Sequence, residues 1–449
     1  MNATELKEAF AEHGIRRVKV GGYDLDGILR GKYLALDKFW GALEDPIGFC
    51  DVIFGWDIAD ALYDNATVTG WHTGYPDTRA RVAPSTFRVL PWEPGTASFL
   101  LDFYLEDGSP HPACPRNLLK SVIARARALG YEATLAAEFE FFVFRETPET
   151  LHAKGFRGLE PLSPGMFGYS WVREGQHASF CHAILDDMER FGIPIEGLHT
   201  ETGPGVYEAA IRYDEALRAA DKAALFKSAM KVLAARQGLC VTFMAKWNHA
   251  LPGSSGHIHQ SLWTQQQNAF FDGSSDDRLS PVAKHYLAGQ LALLPELTAL
   301  VSPTVNSYKR YVPGVWAPLN ASWGIENRTC AVRAIPGSPK STRLEHRQPA
   351  ADINPYVAMA TVLAAGLWGI EQRKPAPAPV TGDASARSDL AALPRTLGEA
   401  TERLARSETA RALLGAGFVD HYLRSRDWEW RQYQRVVTEW ELGRYFEAV

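Results

Sequence analysis

The feature that most constrains this chain is a pair of carboxylates inside an apolar segment. Residues 136–144 read AAEFEFFVF, which places Glu138 and Glu140 among Ala, Phe and Val. Side chains alternate along a strand, so both carboxylates are expected on one face. Two like charges repel each other and are costly to bury, and a bound cation would offset that cost. The pattern predicts either a metal site or the solvent-facing side of an edge strand.

Other acids and imidazoles recur at close spacing. Glu201 and Glu208 flank a Gly-Pro-Gly turn, which lets the two flanking segments approach each other. His257 and His259 alternate in GSSGHIHQSLW, and neutral imidazole is a good metal ligand. A surface loop with two acids and an ordinary strand with two histidines are the alternative interpretations.

Guanidinium groups cluster in the same part of the chain. Glu345 stands between Arg343 and Arg347, which predicts either a surface ion-pair ladder or a site for an anion. Forked guanidiniums bind phosphate and carboxylate well. Further cationic residues occur in NSYKRYVPG and NRTCAVR, namely Lys309, Arg310, Arg328 and Arg333.

Taken together, these groups suit divalent cations that hold polyphosphate oxygens. The chain has no GxxxxGK[ST] loop and no GxSxG motif, so an ATP site would be of another type and a nucleophile elbow is excluded.

The formal net charge of −5 predicts no nucleic-acid partner, and the lack of a long apolar run predicts no membrane span. Five scattered cysteines without a CxxC pair predict a reducing compartment, the cytoplasm.

The element pattern predicts an α+β chain with two domains. Val18–Leu34 reads as a hairpin, and short apolar runs separated by Gly and Pro continue to the Asp107-Gly108 turn. We place the boundary there, giving a sheet-rich domain 1–107 and a larger domain 108–449. Long helices are predicted at 214–237 and 354–370, the second one buried, followed by a surface loop over 374–383.

Six motifs resemble, in order, those of the glutamine synthetase family: EFEFFVF, ETGPGVYEAAIRY, GSSGHIHQSL, NSYKRYVPG, NRTCAVR and RLEHRQPAADINPYVAMATVLAAGLWGI. The resemblance extends from the N-terminal hairpin to the last helices. It implies an N-terminal β-grasp domain and a catalytic domain with a curved antiparallel sheet and surrounding helices. It also implies a homo-oligomeric ring, a dodecamer, with active sites between subunits.

The resemblance also implies roles for individual residues. One Mg²⁺ or Mn²⁺ would be held by Glu140, Glu201 and Glu208, and a second by Glu138, His257 and Glu345. Arg310 and the backbone at Gly253 would bind the substrate's α-carboxylate. Arg328, Arg333 and Arg347 would neutralise the transferred phosphoryl group, and Arg333, Arg343 and His259 would contact ATP. The implied reaction phosphorylates the glutamate side chain, and an amine then attacks the acyl phosphate while water is excluded.

One position departs from the family pattern. Ammonia-using members carry a Glu two residues after VPG, where this chain has Trp316. An indole accepts no proton but offers an apolar wall or a cation–π face, and Tyr311 is a candidate second aromatic surface. The departure favours an organic amine over ammonia. The alternative is that Trp316 only packs while another acid serves, such as Asp57 from a neighbouring subunit.

Two other readings of function stay open: a true glutamine synthetase, and a non-catalytic structural relative. The six intact metal-ligand positions argue against the second. Some bacterial members carry a modifiable Tyr after the GLWGI-type helix. This chain has no Tyr between Arg373 and Asp420, which predicts that adenylylation of that loop does not occur.

Overall fold

A computed structural model describes all 449 residues. The strands are β1 Arg17–Tyr23, β2 Leu29–Leu34, β3 Ile47–Cys50, β4 Asp77–Val82, β5 Arg88–Val89, β6 Thr96–Tyr104, β7 Glu132–Phe144, β8 Ile195–Thr200, β9 Val206–Ile211, β10 Asp214–Glu215, β11 Cys240–Thr242, β12 Gly256–Thr264, β13 Gln267–Asn268, β14 Trp323–Ile325, β15 Val332–Ile335 and β16 Arg343–His346. The helices are α1 Ala3–Glu12, α2 Leu36–Ala42, α3 Pro115–Ala128, α4 Pro148–Ala153, α5 Trp171–Gln176, α6 Ala178–Arg190, α7 Ala216–Ala235, α8 Pro281–Val301, α9 Pro355–Glu371, α10 Leu397–Ala405, α11 Glu408–Leu414, α12 Ala416–Gln434 and α13 Glu439–Tyr445.

A six-stranded sheet is built from the first hundred residues. Its order is β2-β1-β6-β4-β3, with β5 also paired to β6. The predicted hairpin is confirmed as the antiparallel β1–β2 pair, in which Val18 lies opposite Leu34. One face of this sheet buries a separate apolar core that includes Phe10, Phe39 and Phe99.

A ten-stranded sheet forms the centre of the rest of the chain. Its order is β14-β15-β16-β12-β7-β9-β8, with β10 and β11 also paired to β7 and β13 to β12. This sheet curls into a half barrel, as expected for the curved sheet. The sheet is antiparallel, as expected, except at one edge, where β14 and β15 run parallel.

Helices pack against the large sheet and join it in one extended apolar core. Helix α9 is buried along nearly its whole length, and α8 and α7 pack beside it. The predicted helices are confirmed within two residues at each end, and the segment after α9 is a loop. The β-grasp topology and the boundary at 107/108 stay predictions. No helix combines the length and the apolarity that crossing a membrane requires.

Candidate active site

The large sheet brings distant polar side chains onto one face. Strand β7 lies between β12 and β9, so that Glu138 is opposite His257 and Glu140 is opposite Glu208. Strand β16 continues the row on the other side of β12, where Glu345 lies opposite His259. The edge-strand interpretation of Glu138 and Glu140 is therefore wrong, because β7 is paired on both sides.

The first cluster of charged groups surrounds Glu138. His257 Nδ1 lies 3.5 Å from Glu138 Oε1 and 3.4 Å from Glu345 Oε1. His259 Nε2 lies 3.3 Å from Glu138 Oε2. Glu138, His259 and Glu345 each offer a ligand atom within 4.8 Å of the others, as do Glu138, Glu208 and His257. The two carboxylates Glu138 and Glu345 and both imidazoles thus converge in one place.

The second cluster surrounds Glu208 on β9. His199 Nε2 donates a hydrogen bond to Glu208 Oε1 at 2.9 Å, and His199 Nδ1 lies 3.9 Å from Glu201 Oε1. These three residues again place ligand atoms within 4.8 Å of one another. Glu140 belongs to none of the three-residue sets. Its carboxylate accepts hydrogen bonds from the backbone N–H and the hydroxyl of Ser255, at 2.9 and 2.5 Å.

Burial and neighbouring charges shift the proton affinities of these groups in opposite directions. Burial would raise the pKa of Glu138, but His257 and His259 outweigh it and hold that pKa well below its usual range. Burial likewise opposes the charge on Glu345, yet His257 and Arg347 lower its pKa to about 2. Burial, with added repulsion from Glu138 and Glu140, raises the pKa of Glu208.

His257 is a buried side chain without a hydrogen-bond partner. It is 3% exposed, and neither ring nitrogen makes a hydrogen bond. Burial, reinforced by the charge of Arg347, lowers its pKa, which favours the neutral imidazole. A neutral, unpaired imidazole beside carboxylates is the form that binds a metal ion.

Arginines surround the buried Glu345 at the β15–β16 end of the row. Arg333 Nη1 donates to Glu345 Oε2 at 3.1 Å, and Arg347 Nη1 donates to Glu345 Oε1. The Glu345 side chain is 2% exposed, so the surface-ladder interpretation is wrong. Arg343 Nε donates to His259 Nδ1 at 3.2 Å, which links Arg343 to the cluster around Glu138.

Arg310 and Gly253, which are predicted to bind the substrate's α-carboxylate, lie next to each other. Arg310 is buried and donates to the backbone carbonyls of Gln348 and Arg347 at 2.9 and 3.1 Å. A Cβ at Gly253 would come within 3.0 Å of Arg310 Cγ, so the glycine permits close packing of the two. Arg328 is exposed and its side chain contacts none of the other site residues; only its carbonyl accepts a bond, from Arg347 Nε.

Trp316 projects from the loop that follows Arg310. Its side chain is 68% exposed in the single chain. Tyr311 instead faces inward, and its hydroxyl donates to the carbonyl of Gln348 at 2.7 Å. Asp57 accepts bonds from its own loop and from Trp428 Nε1, so both of its oxygens are engaged.

A cavity of about 290 Å³ opens beside the row of acids and histidines. Its lining includes the polar side chains of Glu138, His259 and Arg343 and the aromatic side chains of Tyr213 and Trp263. A cavity lined by both charged and aromatic side chains fits a molecule with a polyanionic part and a planar part.

Several residues of this site were not predicted from the sequence motifs. His199 is the main omission, although its spacing of two residues from Glu201 repeats the same-face pattern of Glu138 and Glu140. Tyr169, which stacks on His199 with a ring separation of 4.3 Å, carries no comparable signal. Ser255 and Glu326, which contact Glu140 and Arg333, also required the structure.

Comparisons with known proteins show which family model, relatives and solved structures this chain resembles. Residues 112–445 match the family model of the glutamine synthetase catalytic domain. The protein named type-1 glutamine synthetase 2 from Dictyostelium discoideum is 47% identical over 438 residues, which cover 96% of this chain and 84% of the relative. A glutamate–isopropylamine ligase from Pseudomonas sp. is 37% identical over 449 residues, covering 99% and 98%. A solved GmaS/ADP complex superposes with a TM-score of 0.86 at 30% identity, covering 98% of this chain and 99% of that one.

Proposed function

The chain is a carbon–nitrogen ligase that belongs to the glutamine synthetase family, and from this premise we propose that it joins glutamate to an organic amine at the expense of ATP. The product would be a γ-glutamyl amide, formed through a γ-glutamyl phosphate. The observation that carries the choice of an organic amine is Trp316, an exposed indole where ammonia-using members carry a carboxylate.

The donor set fits divalent metal ions. Carboxylates predominate, and the buried His257 has two unpaired ring nitrogens next to them. We propose that Glu138, His257 and Glu345 hold one Mg²⁺ or Mn²⁺, and that Glu140, Glu201 and Glu208 hold another, with His199 as a further donor. When bound, these ions would offset the negative charge of the triphosphate and of the reacting carboxylate.

The protein's own groups would orient both reactants. The cavity between Tyr213 and Trp263 would take the nucleotide, with Arg343 and His259 at its phosphate end. Arg310 would bind the α-carboxylate of glutamate with the N–H groups that its two backbone contacts leave free. Arg333 and Arg347 would stabilise charge on the transferred phosphoryl group, because both already point at the same buried acid.

The second substrate would enter past Trp316. An apolar wall gains roughly 0.8 kcal/mol from each CH₂ group that it buries, which ammonia cannot supply. The indole accepts no proton, so the amine would attack as its free base. The 37% identical isopropylamine ligase supports this substrate class.

Ammonia is the second candidate substrate. It is supported by the 47% identity to a protein named as a glutamine synthetase. A non-catalytic relative is disfavoured, because the acids and histidines at the proposed metal positions are all present and converge on one face of the sheet.

The deciding experiment is a phosphate-release assay with ATP, glutamate and a panel of amines that includes ammonium at matched free-base concentration. We expect a higher kcat/KM for at least one organic amine. Trp316→Glu should shift the preference toward ammonium. The matched control Trp316→Phe should retain the preference for the organic amine. If the wild type uses ammonium as well as any organic amine, and Trp316→Glu leaves the ratio of the two kcat/KM values unchanged, the ammonia reaction would be established.

We propose that the protein is a homo-oligomeric ring, a dodecamer, located in the cytoplasm. Large apolar side chains are exposed on the single chain, including Trp171 and Phe446 at 87% and 80%, which suits subunit interfaces. All five cysteines are unpaired, which suits a reducing compartment. Light scattering coupled to size-exclusion chromatography would measure the number of subunits.

A further inference from the structure

Glu326 adopts an uncommon backbone conformation beside Arg333. It follows β14 with φ of +51°, in the left-handed region that residues other than glycine occupy at an energetic cost. Its backbone N–H donates to the carbonyl of Ala334 at 2.9 Å. The side chain of the next residue, Asn327, donates to the carbonyls of Val380 and Gly382 at 3.0 and 2.8 Å. The turn is thus fixed on both sides, although half of the Glu326 side chain is exposed.

The carboxylate of Glu326 holds one edge of the Arg333 guanidinium. Its Oε2 accepts from Arg333 Nε at 2.9 Å and also from Nη2. Glu345 accepts from Nη1 on the other side at 3.1 Å. Each contact uses one N–H group, so three of the five N–H groups of the arginine are engaged and one on each Nη remains free.

We propose that Glu326 is a positioning residue that fixes the plane of Arg333 for phosphoryl transfer, an inference that rests on the proposed function. One bond to Glu345 alone would leave the guanidinium free to turn about that contact. The second carboxylate removes this freedom and leaves the two free N–H groups pointing in a fixed direction. Donors fixed in advance stabilise a transition state better than mobile ones, because they need no reorganisation.

The backbone does not itself require a glutamate here. Glycine would adopt the same φ without strain. The contribution specific to Glu326 is therefore its carboxylate oxygen, and both of its contacts with Arg333 end on that one atom, Oε2. A glutamine with its side-chain oxygen in that place would keep both contacts, which supplies a conservative variant for the test.

The test compares Glu326→Gly with Glu326→Gln in the full-length protein. For Glu326→Gly we expect kcat to fall about tenfold, with the KM values for ATP and glutamate within about twofold of the wild type. Glu326→Gln should recover kcat to within about threefold of the wild type. The thermal midpoint of Glu326→Gly should stay near that of the wild type, because glycine relieves the strain. Arg373→Gly, which relieves a similar φ of +46° outside the site, is the matched control and should leave kcat unchanged.

A wild-type kcat in Glu326→Gly would overturn the proposal, as would a loss of activity that only parallels a loss of stability. A second readout does not depend on turnover. In a crystal structure of Glu326→Gly, the Arg333 guanidinium should lose its single orientation, and an unchanged orientation would overturn the proposal. A wild type that releases no phosphate with any amine would refute the proposed function, while the crystal structure would still decide the role of Glu326.

Discussion

Glu345 and Glu138 differ in how much of the structure depends on each side chain. Glu345 is almost fully buried between Arg333 and Arg347, so removing its carboxylate would leave two guanidiniums without their partner. The Glu138 side chain is 22% exposed, and its ion pairs are with the two imidazoles of His257 and His259. A change at Glu138 therefore reports on the proposed metal site with less disturbance of the fold.

We expect Glu138→Ala to lower kcat by roughly a hundredfold or more, because a missing ligand would misplace the γ-phosphate. Chelation of the wild type should abolish phosphate release, and added Mg²⁺ or Mn²⁺ should restore it. Glu132→Ala, at the exposed start of the same strand, is the matched control and should retain normal turnover. Near-normal turnover of Glu138→Ala at saturating metal would contradict the assignment.

Arg333→Lys keeps the positive charge but loses the planar fork that contacts Glu326 and Glu345. We expect kcat to fall at least about tenfold, with a smaller change in the KM for ATP. Steady-state rates measured at varied ATP provide both values. Arg127→Lys, which alters an exposed ion pair with Glu132, is the control for replacing an arginine by a lysine outside the site. An unchanged kcat would limit Arg333 to a structural role.

At the scale of elements, alternation along the sequence predicted strands β7 and β12 and the face on which their polar residues lie. It did not predict which strands are neighbours. Glu138 and His259 are 121 residues apart in the chain, and their contact depends on pairing between β7 and β12. The position of His199 opposite Glu208 was missed for the same reason, because the sequence does not show that β8 pairs with β9.

The 3₁₀ turn Asn306–Arg310 is held in place by an aspartate side chain. Asp352 Oδ2 accepts from the hydroxyls of Thr304 and Ser307 at 2.7 and 2.8 Å, and so fixes the turn that carries Arg310. We expect Asp352→Ala to raise the KM for glutamate about tenfold and to change the KM for ATP by less than about twofold.

Asp383→Ala is the control for Asp352→Ala, since Asp383 caps another 3₁₀ turn on the surface. Equal changes in the KM values for both substrates of Asp352→Ala would show a general loss of structure instead of a local effect on Arg310.

At the scale of the whole molecule, the two parts of the chain are joined by contacts that no sequence motif predicts. Helix α12 reaches back to the N-terminal part, where His421 Nε2 donates to the carbonyl of Phe54 at 2.7 Å and Trp428 donates to Asp57. Asn354 at the start of α9 donates to the carbonyls of Asp24 and Leu25. Such links span more than 300 residues, beyond the reach of any local pattern. We therefore expect the two parts to unfold together.

The buried pair His111 and His421 makes this junction sensitive to acid. Burial lowers the pKa of each to about 4, with a further contribution at His111 from His421 and at His421 from Arg424. Both folded pKa values lie below the unfolded value of about 6.5, so both histidines are neutral in the folded protein at pH 7. Their stabilising effect is complete above pH 6.5 and is lost as the pH falls toward 4, because the unfolded chain then binds more protons. Each histidine should reduce the free energy of unfolding by roughly 2 kcal/mol between pH 7 and pH 5.

Urea unfolding at pH 7 and pH 5 measures this loss. His421→Gln can still donate to the Phe54 carbonyl but does not titrate, so its loss between the two pH values should be smaller than that of the wild type. Apart from His111, whose pKa His421 also lowers, the other acids and bases are common to both proteins, and the comparison therefore measures the contribution of His421. The exposed His13 provides the control, since His13→Gln should lose as much stability as the wild type. If His421→Gln and the wild type lose the same free energy, the acid sensitivity arises elsewhere and the junction is not its source.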